Sequence, residues 1–336
     1  MRYRKVMAVA ASAIAVGFVC VAAAEEESDP IQPATYGATA AAASPEVSEA
    51  TPKDSKDVPL AVKPQASESA SAAASNPIAP RYVVVTVATY QKCFAYRSSD
   101  GGRTWLPPVV LPGAANKGCY DADVAYAPDG GAVYAAYSIY VDDENRGVVV
   151  TRSNDDGATW ADPPVVALAE SGRYFFAPRL AVSLARADAQ WVYLLAKREL
   201  DFGPIASIAV SRSDDRGVTW APPSVVAAWD EVSDGSATLA GGIGGDVLLA
   251  WSVGEGTQKP GQINVMLSRD HAGHFGPAAV ATDEISGISG SFDVKIGAKG
   301  TAHIVFDRRP QKPTDGTDIG YAWGARPYTA WRPLSP

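Results

Sequence analysis

Arginines, carboxylates and aromatic residues gather in a few short segments of this 336-residue chain. One such set is Arg173, Phe175, Trp229, Asp230, Glu231 and Arg309. Aromatic rings stack on the faces of a sugar, while guanidinium and carboxylate groups read its hydroxyls or a carboxylate. The same composition also serves a plain solvated surface, because connecting loops of any soluble protein are polar. No phosphate loop, serine-protease constellation or metal-ligand cluster accompanies the set. His271, His274 and His303 stand in unlike contexts, and Gly241-Gly242-Ile243-Gly244-Gly245 suits a tight inter-strand turn better than a phosphate cradle. Asp142-Asp143-Glu144 lacks the ligand spacing of a Ca²⁺ loop. No cofactor and no metal is expected.

The elements that must position these residues come from a repeat. Ser98-Ser99-Asp100-Gly101-Gly102-Arg103-Thr104-Trp105 returns as Ser153-Asn154-Asp155-Asp156-Gly157-Ala158-Thr159-Trp160 and as Ser213-Asp214-Asp215-Arg216-Gly217-Val218-Thr219-Trp220. A worn copy keeps Ser268, Asp270 and Phe275, and a fifth survives as Thr329-Ala330-Trp331. The aromatics at 105, 160, 220, 275 and 331 recur every 55 to 60 residues, a period that signals stacked units sharing their apolar faces. Each copy joins two β-rich runs, so it reads as a hairpin corner. Its aspartate can accept backbone N–H groups, its glycine supplies positive φ, and its serine and threonine tie off further backbone groups. The tryptophan has the size to fill the gap between neighbouring sheets.

Every unit after the first divides into four short apolar or alternating runs bounded by Gly, Pro and Asp, which is the pattern of a propeller blade. The first unit offers no credible strand before Tyr82. The expectation is an all-β propeller of four-stranded antiparallel blades, five in number, with the first incomplete at its start.

The repeat Ser-x-Asp-x-Gly-x-Thr-Trp resembles the Asp-box, or BNR repeat, of the sialidase-like β-propellers. The resemblance covers residues 81–336. It implies that the corners, which join strands three and four, share a face with the one-to-two loops. Substrate in sialidases binds on the opposite face, which carries the two-to-three loops and the crossovers between blades. Sialidases clamp the sialic acid carboxylate with three arginines and attack with a tyrosine activated by a glutamate, an aspartate serving as acid/base. Available for these roles here are Arg198, Arg308 and Arg309 as clamp members, with Arg179 a further candidate, and Tyr120 with Asp121 or Tyr174 with Glu199 as the nucleophile pair, none of them fixed by a motif. The chain departs from that pattern in two ways. Sialidases have six blades, and the Arg-Ile-Pro that opens their first blade has no match, Pro80-Arg81-Tyr82 and Ala177-Pro178-Arg179-Leu180 being the nearest fragments.

Residues 1–24 have a basic start, an apolar run from Val6 to Val21 and an Ala-x-Ala end, the marks of a secretory signal peptide cut before Glu25. Residues 25–78 are rich in Ala, Ser, Glu and Pro and read as a disordered spacer, leaving 79–336 as the propeller. Removing the first 24 residues takes away three of the 29 Lys+Arg and none of the 37 Asp+Glu, for a net charge of about −11. So acidic a chain is a poor binder of nucleic acid or anionic membrane, and no membrane span remains after cleavage. In an exported protein Cys93 and Cys119, at adjoining segments of one face, are expected to form a disulfide.

The reading these features favour is an exported, non-catalytic module that binds a glycan or another surface polymer, in a secreted, periplasmic or cell-surface setting. Whether the chain is an enzyme stays open. The first alternative is a divergent exo-glycoside hydrolase of sialidase type, and the second a scaffold that grips a protein partner.

Overall fold

The computed structural model describes residues 70–333, apart from 90, 115–117, 143–144, 185–189, 201–204, 229–235, 254–260, 286–290 and 309–317. The expected signal peptide lies outside the described residues, as do Trp229, Asp230, Glu231 and Arg309. The described residues contain strands and turns and no helix. The strands fall into consecutive antiparallel groups of four. The first unit holds β1 (Ala70–Ser75), β2 (Val83–Ala88), β3 (Cys93–Ser98) and β4 (Val109–Val110). The second holds β5 (Cys119–Tyr126), β6 (Val133–Tyr140), β7 (Arg146–Ser153) and β8 (Val165–Leu168). The third has β9 (Arg173–Val182), β10 (Val192–Leu200), β11 (Ile205–Ser213) and β12 (Ser224–Ala228). The fourth has β13 (Ala237–Gly241), β14 (Val247–Val253), β15 (Gly261–Ser268) and β16 (Ala279–Ile285). The last has β17 (Phe292–Ile296), β18 (Thr301–Arg308), β19 (Asp318–Ala325) and β20 (Trp331–Pro333).

The first strand of each unit is the inner one. β1 packs on β5, β5 on β9, β9 on β13 and β13 on β17. Apolar cores lie in the seams between successive units. Val84, Cys93 and Leu111 of the first unit meet Val133, Tyr137 and Val149 of the second, and Tyr134, Val148 and Val150 of the second meet Leu180, Leu194 and Ala209 of the third. Burial of these alternating strand faces, at roughly 25 cal/mol per Å² of apolar surface, is the main force holding the units together.

The first unit is complete, which corrects the expectation that nothing strand-like precedes Tyr82 and that the spacer runs to 78. β1 pairs with β2 over Ala70↔Ala88 to Ser75↔Val83. Its sequence, Ala-Ser-Ala-Ala-Ala-Ser, carries no β-branched or aromatic signature. An inner strand lies where the units converge, so small side chains fit there, and Ala72 and Ala74 pack on the core shared with the second unit. The outer strands also begin later than the alternation suggests. Pro163-Pro164 and Pro222-Pro223 follow the box tryptophans and donate no N–H, so β8 and β12 start only at Val165 and Ser224.

The four box corners share one hydrogen-bond scheme. In the second unit, Ser153 Oγ donates to Asp155 Oδ1 (2.7 Å) and accepts from Gly157 N (2.9 Å). Thr159 gives its N–H to Oδ1 (2.8 Å) and its hydroxyl to Oδ2 (2.7 Å). The worn copy keeps this scheme because His274 takes the threonine's place, with its N–H and Nδ1 on Asp270 at 2.9 and 2.7 Å.

Each later corner also latches onto the unit before it. The residue after the box aspartate adopts positive φ, 53° at Asp156, 62° at Arg216 and 58° at His271. Asp156 Oδ1 accepts from Asn76 Nδ2 at 2.8 Å, and Arg216 Nη2 donates to Asp129 Oδ2 at 2.9 Å. His271 Nδ1 pairs with the Tyr193 hydroxyl at 2.8 Å and stacks on Trp191 at 4.1 Å. The last unit reaches back likewise, through the Arg326–Asp246 ion pair. Trp160, Trp220, Phe275 and Trp331 each pack on a core shared with the preceding unit. The expected disulfide is present, Cys93 to Cys119 with a Cα–Cα distance of 5.6 Å, and it staples the start of β3 to the start of β5.

Candidate functional site

The starts of β5, β7 and β9 meet at the face opposite the box corners. Here the second and third units touch through one parallel bridge, Arg146↔Tyr174. The turn ahead of β7 is built by Asp142, whose Oδ1 accepts from the Asn145 backbone N–H at 2.8 Å. Asn145 Oδ1 in turn accepts from Gly172 N at 2.8 Å, tying that loop to the crossover that leads into β9.

This framework places the Arg146 guanidinium among three tyrosines. Its central carbon lies 4.0 Å from the Tyr120 ring centroid, 5.4 Å from Tyr140 and 5.6 Å from Tyr174. The rings brace one another edge to face, Tyr120 on Tyr140 at 6.1 Å and Tyr140 on Tyr174 at 6.5 Å. A guanidinium over a ring face is held by the ring quadrupole, more strongly where water is excluded. Arg146 Nε is buried and has no hydrogen-bond partner among the described residues, and the same is true of Arg173 Nη1. Buried guanidinium N–H groups without an acceptor are costly, and a carboxylate is the acceptor whose planar geometry matches them.

Around this centre stand several of the positions implied by the resemblance. Tyr120 lies under Arg146. Glu199 is the register partner of Tyr174, and burial raises its carboxyl above the ordinary value, with nearby Arg146 opposing. Arg198 is already committed. Its Nε and Nη2 grip both oxygens of Glu170 at 2.8 and 2.6 Å, a bidentate pair that the more distant Arg173 joins at 3.8 Å. The hydrogen bond from Arg198 holds the Glu170 carboxyl below its usual range.

The remaining positions serve the inner strands. An inner strand has no backbone partner on its inner edge, so its N–H groups need other acceptors. Asp121 Oδ2 accepts from Ala177 N at 3.0 Å, and Asp123 Oδ2 accepts from Leu180 N at 2.6 Å. Burial pushes the Asp123 carboxyl up, opposed first by Arg179. On β17, Lys295 pairs with Asp293 at 2.9 Å, and Thr238 of β13 donates to Asp293 at 3.2 Å. Arg308 ends β18, in register with Asp318. Phe175, expected to face a ligand, is fully buried in the core between the second and third units, because alternation along β9 turns it away from the mouth.

Sequence reasoning assigned no role to Arg146 or to Tyr140. The available signal was the β-branched run Gly147 to Thr151 that starts directly after Arg146, which puts the arginine at a strand mouth.

The model of the BNR repeat-like domain family matches residues 59–286. No curated protein matches the chain. Several solved structures share the fold. A Dyadobacter fermentans protein of unknown function superposes with a TM-score of 0.55 at 13% identity, over 75% of either chain. An α-L-arabinofuranosidase of Fusarium graminearum, solved with an iminosugar inhibitor, gives 0.53 at 16% identity over 78% of this chain and 79% of its own. An α-L-arabinanase of Penicillium chrysogenum, solved with arabinobiose, gives 0.53 at 17% identity over the same shares. At such identities the likeness establishes fold alone.

Proposed function

Since the chain belongs to the family of BNR repeat-like domains, a sialidase-like β-propeller fold, we propose that it is an exported, non-catalytic propeller that binds a carboxylate-bearing glycan or surface polymer at the Arg146 mouth. The observation that carries this reading is the guanidinium of Arg146, held on three tyrosines with its buried Nε unpaired among the described residues. The tyrosine cluster offers an amphipathic wall for a sugar, and Arg146 with Arg173 offers charge for its carboxylate. The Cys93–Cys119 disulfide suits an oxidising compartment, in keeping with the leader read from residues 1–24.

Binding is favoured over hydrolysis because two of the implied catalytic groups are occupied. Arg198 commits its Nε–H and an Nη2–H to the two oxygens of Glu170, and Asp121 Oδ2 accepts from Ala177 N. One feature favours the hydrolase alternative, namely Tyr174 and Glu199 at one register position, with burial raising the carboxyl of Glu199. The test is to present the full mature chain to an array of acidic and neutral polysaccharides, and separately to fluorogenic sialosides and arabinofuranosides. Retention of acidic polymers without turnover is the expected result. Turnover that disappears in Glu199→Gln would overturn the binding reading in favour of catalysis. Silence on the array together with capture of one protein would overturn it in favour of a scaffold.

A further inference from the structure

Tyr120, on whose ring the Arg146 guanidinium lies, sits at an end of β5 that the strand ladder holds weakly. Among the described strands, the inner strand β5 has a single ladder partner, β6. Its register with β6 shifts between Tyr120 and Ala122, so Asp121 bulges out of the ladder. Beyond that bulge stand two residue pairs, Cys119 with Ile139 and Tyr120 with Ser138. A strand end set apart by a bulge is a place where local opening starts.

Two features meet at this end. Cys119, directly before Tyr120, is bonded to Cys93 of the first unit. Cys93 is itself anchored, in register with Ala88 of β2 and accepting from Leu111 N at 2.8 Å. Both cysteines are fully buried, and their sulfurs lie 3.8 and 3.9 Å from the Tyr120 carbonyl oxygen. On the other side of Cys119, Gly118 has a φ of 63°. A Cβ there would stand 3.1 Å from Tyr120 Cε2 and 3.3 Å from the Tyr120 hydroxyl oxygen. Any other residue would push the ring off its place and strain the backbone as well.

We infer that the Cys93–Cys119 disulfide and Gly118 are positioning elements of the Arg146 mouth. The disulfide fixes the end of β5 from the first unit, and Gly118 admits the Tyr120 ring. That ring sets the plane of the guanidinium before a ligand arrives, so binding avoids the cost of ordering the arginine. Affinity therefore depends on a crosslink that touches no ligand. The inference rests on the binding reading at Arg146 for its ligand, and on geometry alone for the positioning.

The test compares the full mature chain with the double variant Cys93→Ala and Cys119→Ala, and with Gly118→Ala, which keeps the crosslink. Without ligand, hydrogen–deuterium exchange in the double variant should quicken by about tenfold or more at residues 119–121 and 146–148, with β14 and β15 unchanged. In calorimetric titration with polygalacturonate, well below every unfolding temperature, the double variant should bind about tenfold more weakly and Gly118→Ala about threefold more weakly. In a Tyr120→Ala background, removing the two cysteines should cost no further affinity, because the brace acts through that ring. His271→Ala, which loosens a latch elsewhere, should bind as wild type does. Unaltered exchange at 119–121 and 146–148 would overturn the inference whatever the ligand. So would equal affinity of wild type and both variants, with only the unfolding temperature lowered, since the crosslink would then serve stability alone. A wild-type chain that retains no polygalacturonate would overturn the binding reading instead, and the exchange arm would still decide the positioning.

Discussion

Arg146 lies over the face of Tyr120, with 4.0 Å between the guanidinium carbon and the ring centroid. The two residues come from different strands, β7 and β5, and a third strand, β9, adds Tyr174 to the same cluster. A cation–π contact of this sort contributes about 0.5–2 kcal/mol, depending on how dry it is. It fixes the plane of the guanidinium while leaving its edge available to an acceptor.

If that edge reads a carboxylate, Arg146→Gln should weaken binding of a polyuronate by about 10- to 100-fold, the range for losing a charge-assisted hydrogen bond. Arg146→Lys keeps the charge but not the fork and should recover only part of the loss. Calorimetric titration of both variants checks this, and equal affinity of wild type and Arg146→Gln would sink it.

Glu199 supplies a pH signature. Its carboxyl is raised, chiefly by burial, so protonation favours the folded state. That contribution is present below the ordinary glutamate pKa and is lost as pH rises through the raised value. Glu199→Gln should therefore unfold at a higher temperature than wild type at pH 7, and the gap should shrink as pH falls toward 4. A gap that widens on acidification would contradict the assigned cause.

The box aspartates act with the opposite sign. The Thr104 hydroxyl, with further bonds from the Thr104 N–H and Ser98, holds Asp100 down at about 2. Asp155 and Asp215 are lowered too, burial being outweighed by their threonine and serine partners. Their stabilisation is present above the ordinary aspartate pKa and is lost as pH falls through the lowered values. Thermal unfolding followed from pH 6 to pH 2 should show a steep loss of stability below pH 4. Asp155→Ala should cost about 1–2 kcal/mol at pH 7 and much less at pH 2.

The disulfide between Cys93 and Cys119 closes a loop with a sequence separation of 26. Loop-closure entropy assigns such a crosslink roughly 3 kcal/mol. Urea unfolding with and without a reductant should differ by about that amount, and coincident curves would mean that the staple constrains nothing.

At the latch, His271→Ala removes both the Tyr193 hydrogen bond and the stacking on Trp191. The expected loss is about 1–3 kcal/mol. Arg216→Ala removes a half-exposed ion pair with Asp129 and should cost less than about 1 kcal/mol. Chemical denaturation of the two variants should rank them in that order.

The sequence by itself determined the corners, the four-run unit and the cysteine pair. Each box closes its hydrogen bonds within eight consecutive residues, so Ser153, Asp155, Gly157 and Thr159 specify the turn whatever surrounds it. The tertiary structure alone decided β1, whose alanines and serines become a strand only because β2 pairs with them and the narrow inner position admits small side chains. It also decided which charged groups remain available. Arg198 and Arg146 are alike as residues of a strand mouth, yet one is gripped by Glu170 from a neighbouring crossover and the other lies on tyrosines of three strands. Such pairings join positions tens of residues apart, and they depend on how one twisted sheet is set against the next, which no local pattern encodes.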